Sequence, residues 1–87
     1  MEEKLFLVDD QHYLHVQECD EGGYDYTFYD KETYEAVDGG RMDEPEEWGI
    51  TTILQAAEAI CNNHGLTPEL IVSVPLDMVE KLQDANC

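Results

Sequence analysis

Cys61 and His64 stand three residues apart, and His12, His15 and Cys19 form a second group near the start of the chain, so metal ligation by thiolate and imidazole is the first chemistry to weigh. No Cys-x-x-Cys or His-x-x-x-His pair accompanies them, and Cys61 falls on an apolar stripe as a small hydrophobe does, so no metal site is expected. Cysteine nucleophiles need an imidazole within hydrogen-bond reach. His15 and Cys19 share a face if they lie on one strand, yet about 13 Å of strand separates them. The segment Asp20-Glu21-Gly22-Gly23-Tyr24-Asp25 has oxygen ligands and glycines but lacks the order of a calcium loop. Asp38-Gly39-Gly40 has no following Lys-Ser/Thr and cannot be a phosphate loop. Paired carboxylates are so abundant that proximity alone identifies no acid and base, and a solvated face is the ordinary use of such residues. No catalytic, cofactor-binding or metal-ligating residue is assigned, and a non-enzymatic role is expected.

Acid dominates what remains. The chain of 87 residues has 21 Asp and Glu against four Lys and Arg, for a formal net charge of −17. Most of the acid lies at or before Glu47, threaded through aromatics. Nucleic acid and acidic membranes are discounted as ligands, because each phosphate would meet repulsion. A hydrophobic share of 43% is that of a folded chain, and the length suits one domain, 1–87. Three irregularly spaced cysteines, Cys19, Cys61 and Cys87, make no disulfide framework. With no signal peptide or membrane-length apolar run, a cytoplasmic location is the simplest expectation.

The elements that would position these residues follow from periodicity. His12 to Cys19 and Tyr24 to Asp30 alternate as strands around Glu21-Gly22-Gly23, which specifies a hairpin. Tyr24, Tyr26 and Phe28 share one face of the second strand, the expected packed side, and on the first Leu14 and Val16 oppose Tyr13, His15 and Gln17. Tyr34-Glu35-Ala36-Val37 starts a third strand that meets a bulge or tight turn at Asp38-Gly39-Gly40. Leu5-Phe6-Leu7-Val8, within residues 1–10, is either a mobile leader or an edge strand. Ile50, Ile53, Leu54, Ala57, Ile60 and Cys61 recur at helical spacing, with Thr52 and Gln55 in capping-box register and Gly65 past the end. Leu70 to Val74, between Pro68 and Pro75, is either a fourth strand or part of a short helix begun at Thr67-Pro68. Leu76 to Leu82 suits a terminal helix. The fold class is α+β: a three- to four-stranded antiparallel meander, one main helix packed on one face and a short C-terminal helix.

The run Tyr13-Leu14-His15-Val16-Gln17-Glu18-Cys19-Asp20-Glu21-Gly22-Gly23-Tyr24-Asp25-Tyr26-Thr27-Phe28-Tyr29-Asp30, continued by Ala36-Val37-Asp38-Gly39-Gly40, resembles small uncharacterised accessory proteins of conjugative transposons and plasmids of Gram-positive gut bacteria. Similar segments occur in modules that accompany large polyvalent proteins of such elements. The resemblance implies an accessory role and an α+β fold, and brings no catalytic residues.

The expected function is a protein-interaction module with an acidic aromatic surface. Asp20, Glu21, Asp25, Asp38, Asp43 and Glu44, with Tyr29, are the candidate partner-facing residues, and a monomer meeting a protein with a basic patch is the expected encounter. A DNA-mimic inhibitor of a host nuclease or restriction enzyme is the alternative. It would need carboxylates at alternate positions of one strand, about 6.8 Å apart, whereas the acid here falls in turns. In a meander the first turn and the exit of the third strand lie at one end, so Glu18, Asp20, Glu21, Asp25, Asp38, Asp43, Glu44, Glu46 and Glu47 are expected to gather at one pole.

Overall fold

A computed structural model describes residues 2–66 and 71–85. Five strands form one antiparallel sheet: β1 (Glu3–Leu7), β2 (His12–Glu18), β3 (Tyr24–Asp30), β4 (Ala36–Met42) and β5 (Val72–Val74). Their spatial order is β4-β3-β2-β1-β5. A 3-10 turn (Pro45–Trp48) and helix α1 (Ile53–Asn63) lie between β4 and β5, and helix α2 (Asp77–Ala85) follows β5.

The hairpin falls as the alternation requires, with Leu14 opposite Phe28 and Val16 opposite Tyr26. Its turn is held by the Gly22 amide donating to the Cys19 carbonyl, with Gly22 and Gly23 both at positive φ. Leu5-Phe6-Leu7-Val8 is neither leader nor edge. It belongs largely to β1, which lies between β2 and β5 and pairs with both. Leu5 and Phe6 point to opposite faces and both are buried, which is why the run is apolar without alternation. The meander therefore has four strands, and β5 joins it beside β1.

β4 also departs from expectation. Asp38-Gly39-Gly40 is neither bulge nor turn; the strand runs straight through it, with Gly40 opposite Tyr26. The irregularity lies earlier, between Phe28 and Tyr29, where Val37 has no partner in the register. Glycine in a strand often marks a close approach, and here it is the Tyr26 ring: a β-carbon on Gly40 would stand 2.7 Å from the Tyr26 hydroxyl.

Two cores result, one on each face of the sheet. Phe6, Leu14, Val16, Tyr24 and Phe28 meet Ile53, Ala56, Ala57, Ile60 and Cys61 of α1. Leu5 and Tyr29 meet Val79 and Leu82 of α2, flanked by Tyr13, Tyr34 and Val74. So a helix covers each face, because residues of both parities along β1, β2 and β3 include large apolar side chains. Leu54, by contrast, is exposed.

α1 begins and ends as its sequence requires. The Thr52 side chain accepts from the Gln55 amide at 3.2 Å, and the Gln55 side chain accepts from the Thr52 amide at 3.2 Å. At the other end the Leu66 amide donates to Cys61 and the Gly65 amide to Asn62, with Gly65 left-handed, a Schellman arrangement. Of the alternatives for the segment after α1, the strand is present over Val72–Val74; Leu70 and the helix start at Thr67-Pro68 lie outside the described residues.

Candidate interaction surface

The hairpin turn and the exit of β4 lie side by side, because Tyr24 pairs with Met42 and Asp25 with Arg41. Arg41 binds the two together. Its Nε donates to Asp43 Oδ1 at 2.8 Å, one Nη donates to the Gly22 carbonyl at 3.2 Å, and the other stands 4.0 Å from Asp25 Oδ1. Asp43 holds the guanidinium above its ordinary pKa, so this cation stays charged.

Two shallow hollows of about 300 and 290 Å³ flank Arg41. Glu18, Asp20, Glu21 and Asp25 line one side, and Asp43, Glu44 and Glu46 the other. Arg41 neutralises one unit of charge among them, so the pole remains strongly anionic. Acid even reaches its thiol: Asp25 raises the pKa of Cys19, chiefly by hydrogen bonding to the protonated sulfur. Trp48 borders the pole, 75% exposed, at the end of the 3-10 turn. Glu44 enters that turn left-handed, at φ 52°, with Pro45 buried behind it.

Two of the expected partner-facing residues lie elsewhere. Tyr29 is 9% exposed and packs beneath α2, so its ring is part of the second core and not of the surface. Asp38 stands opposite Phe28, well along β4 from the pole. Its carboxylate is 3.6 Å from His64 Nδ1, and His64, the C-cap of α1, lies against Phe28 with ring centroids 4.8 Å apart.

Asp38 and His64 form one wall of a cleft of about 270 Å³ completed by Asp9, His12, Phe28, Val37 and Leu66. Burial raises the pKa of Asp9, but the Gln11 amide at 2.7 Å and His12 Nδ1 at 3.0 Å more than compensate, and it lies below the ordinary carboxylate range. The Asp9-x-x-His12 spacing was the available signal for this contact, since a carboxylate at a turn meets the residues just after it. Trp48 admits both a core and an interface reading in sequence, with packing the favoured one, and the structure exposes it.

The residues weighed for metal or thiol chemistry are dispersed. Cys61 is buried under the first core, and desolvation pushes its thiol up to about 11. His15 lies on the opposite face, 7% exposed, with Nε2 2.9 Å from Glu3 Oε1. His12 and His64 line the cleft. Among the described residues no group of three His, Cys, Asp or Glu side chains is placed to hold a metal ion, and no helix is long and apolar enough to cross a membrane.

The family model of large polyvalent protein-associated domain 16 matches residues 1–86. The chain belongs to that family. No curated protein and no solved structure matches it. In this large polyvalent protein-associated domain the helices cover both faces of β1, β2 and β3, while β4, which runs to the acidic pole, stays exposed.

Proposed function

We propose that this domain is a non-enzymatic interaction module, accessory to large polyvalent proteins of mobile elements, that engages a basic surface of a partner protein through its acidic pole. The observation that carries this reading is the clustering of Glu18, Glu21, Asp25, Asp43, Glu44 and Glu46 around the single cation Arg41, with Trp48 exposed beside them. Unpaired charge of one sign steers oppositely charged partners and sets association rate more than final affinity. An exposed tryptophan at the border offers apolar area and a ring face for a partner's Lys or Arg. The membership in a polyvalent-protein family supports an accessory role.

The test is capture from a lysate of the source cells at low and high salt, using the wild-type chain and a Glu21→Lys/Glu46→Lys variant. Capture of a basic protein that weakens with salt and with the double reversal supports the reading. Equal recovery on wild type and variant, or no captured protein at either salt, overturns it.

A further inference from the structure

β4 leads from the cleft to the acidic pole along the outer edge of the sheet. Among the described residues its one strand neighbour is β3, and from Val37 to Arg41 its residues are exposed. At the opposite edge β5 is three residues long and ends at Pro75. Long open edges present rows of backbone donors and acceptors to any extended chain. What such a chain must carry is set by the side chains beside the edge.

On the face shared with α1, β4 offers Asp38 and, two residues on, Gly40. Asp38 is 54% exposed; its Oδ1 accepts from the Gly39 amide at 2.8 Å and its Oδ2 stands 3.6 Å from His64 Nδ1, so an incoming strand must take over the Gly39 amide while its cation shares the carboxylate. Gly40 has no side chain, and the Tyr26 ring lies across it, with Cζ 2.9 Å from where a β-carbon would stand. A carboxylate and an aromatic ring two residues apart along one edge are the two features that attract an ammonium or guanidinium group, by charge and by the ring quadrupole. The other face has Gly39, which adds no bulk, and Arg41, already tied to Asp43 and Gly22.

We propose that the β4 edge binds an extended basic segment of a partner protein, added as a sixth strand, with Lys or Arg at alternate positions facing Asp38 and the Tyr26 ring. This rests on the interaction-module reading and gives it a partner chemistry. A second copy of this chain is a poor occupant, because each copy carries −17 and its β4 would bring Asp38 to Asp38 or to the acidic pole.

The probe is the eight-residue peptide of alternating Lys and Val. Its controls are a Glu/Val counterpart and a Lys/Val peptide N-methylated at every backbone amide, which keeps charge and side chains but cannot pair as a strand. Binding is read by fluorescence, and its place by residue-resolved amide hydrogen exchange. The Lys/Val peptide is expected to slow exchange within Val37 to Arg41, and both controls to leave it unchanged. Asp38→Lys, an exposed change, is expected to weaken binding about tenfold, and Asp38→Asn by less.

If the N-methylated peptide binds equally, or protection appears only at residues 20–25 and 43–47, the edge is overturned while the polar reading stands. Protection of β4 without peptide, accompanied by a dimer in sedimentation, overturns it in favour of self-association. Should the Lys/Val peptide not bind at all while lysate capture succeeds, the edge proposal falls alone; failure of both removes the module reading as well.

Discussion

Gly23 and Gly40 are both demanded by their surroundings, in different ways. At Gly23, φ is +82° and a β-carbon would lie 2.5 Å from the Met42 carbonyl oxygen, which is backbone and cannot step aside. Gly23→Ala should therefore cost about 2 kcal/mol or more, seen as a lower urea midpoint with an unchanged slope. At Gly40 the obstacle is the end of a side chain, so Gly40→Ala should cost less, about 1 kcal/mol, as the Tyr26 ring swings away. Cys61, with its thiol up at about 11 and its side chain in the first core, should resist iodoacetamide at pH 8 in the folded protein, as peptide mass mapping would show. The two glycines looked alike in sequence. Only the cross-strand register reveals that one opposes a carbonyl and the other a tyrosine hydroxyl.

The elements differ in how openly the chain announces them. The hairpin and α1 were legible because local chemistry suffices: alternation with a two-glycine turn, and Thr52 with Gln55 before an apolar stripe. Thr52→Ala should lower stability by about 1 kcal/mol, through loss of the cap bond to the Gln55 amide. β1 was not legible. An apolar tetrad carries no period, and its central place depends on β5, whose partners lie more than sixty positions away in sequence. Nor was the second core, since nothing local says that α2 returns to the face opposite α1. Leu82 is fully buried there against Leu5 and Tyr29, so Leu82→Ala should cost about 2–5 kcal/mol in thermal or urea unfolding. Tyr29 follows the same logic: its face is open in a lone meander and is covered only by α2.

For the molecule as a whole, charge is the leading variable. Self-repulsion at −17 weakens as salt shortens the screening length, so the melting temperature should rise with added NaCl at pH 7; about 1 kcal/mol of relief corresponds to ~4–8 °C for a domain of this size. Acid acts in the opposite sense on two particular groups. Asp9 is held low by the Gln11 amide and His12 against the upward pull of burial, and Asp30 by the Thr33 and Glu32 amides. The unfolded chain binds protons at these carboxyls more readily. Their contribution is thus present above the ordinary Asp value near pH ~4 and is lost as pH falls through their lower folded values. Calorimetry in buffered steps should show the melting temperature falling below pH ~4, less steeply in an Asp9→Asn variant. The placing of the hairpin turn beside the exit of β4 was legible because meander connectivity brings alternate turns together, whereas the cleft was not, since it joins a turn, two strands and a helix end.

The place of β1 has a consequence for synthesis. Leu5 leaves the ribosome well before Val74, Val79 and Leu82, which cover it. Until β5 and α2 have followed, the nascent chain carries β1 with one edge unpaired and one apolar side uncovered. The core on the α1 side can assemble once Cys61 has emerged, but the second must wait until α2 clears the exit tunnel. Closure of the second core therefore comes after that of the first, and β1 stays half-covered until α2 is free to fold onto it.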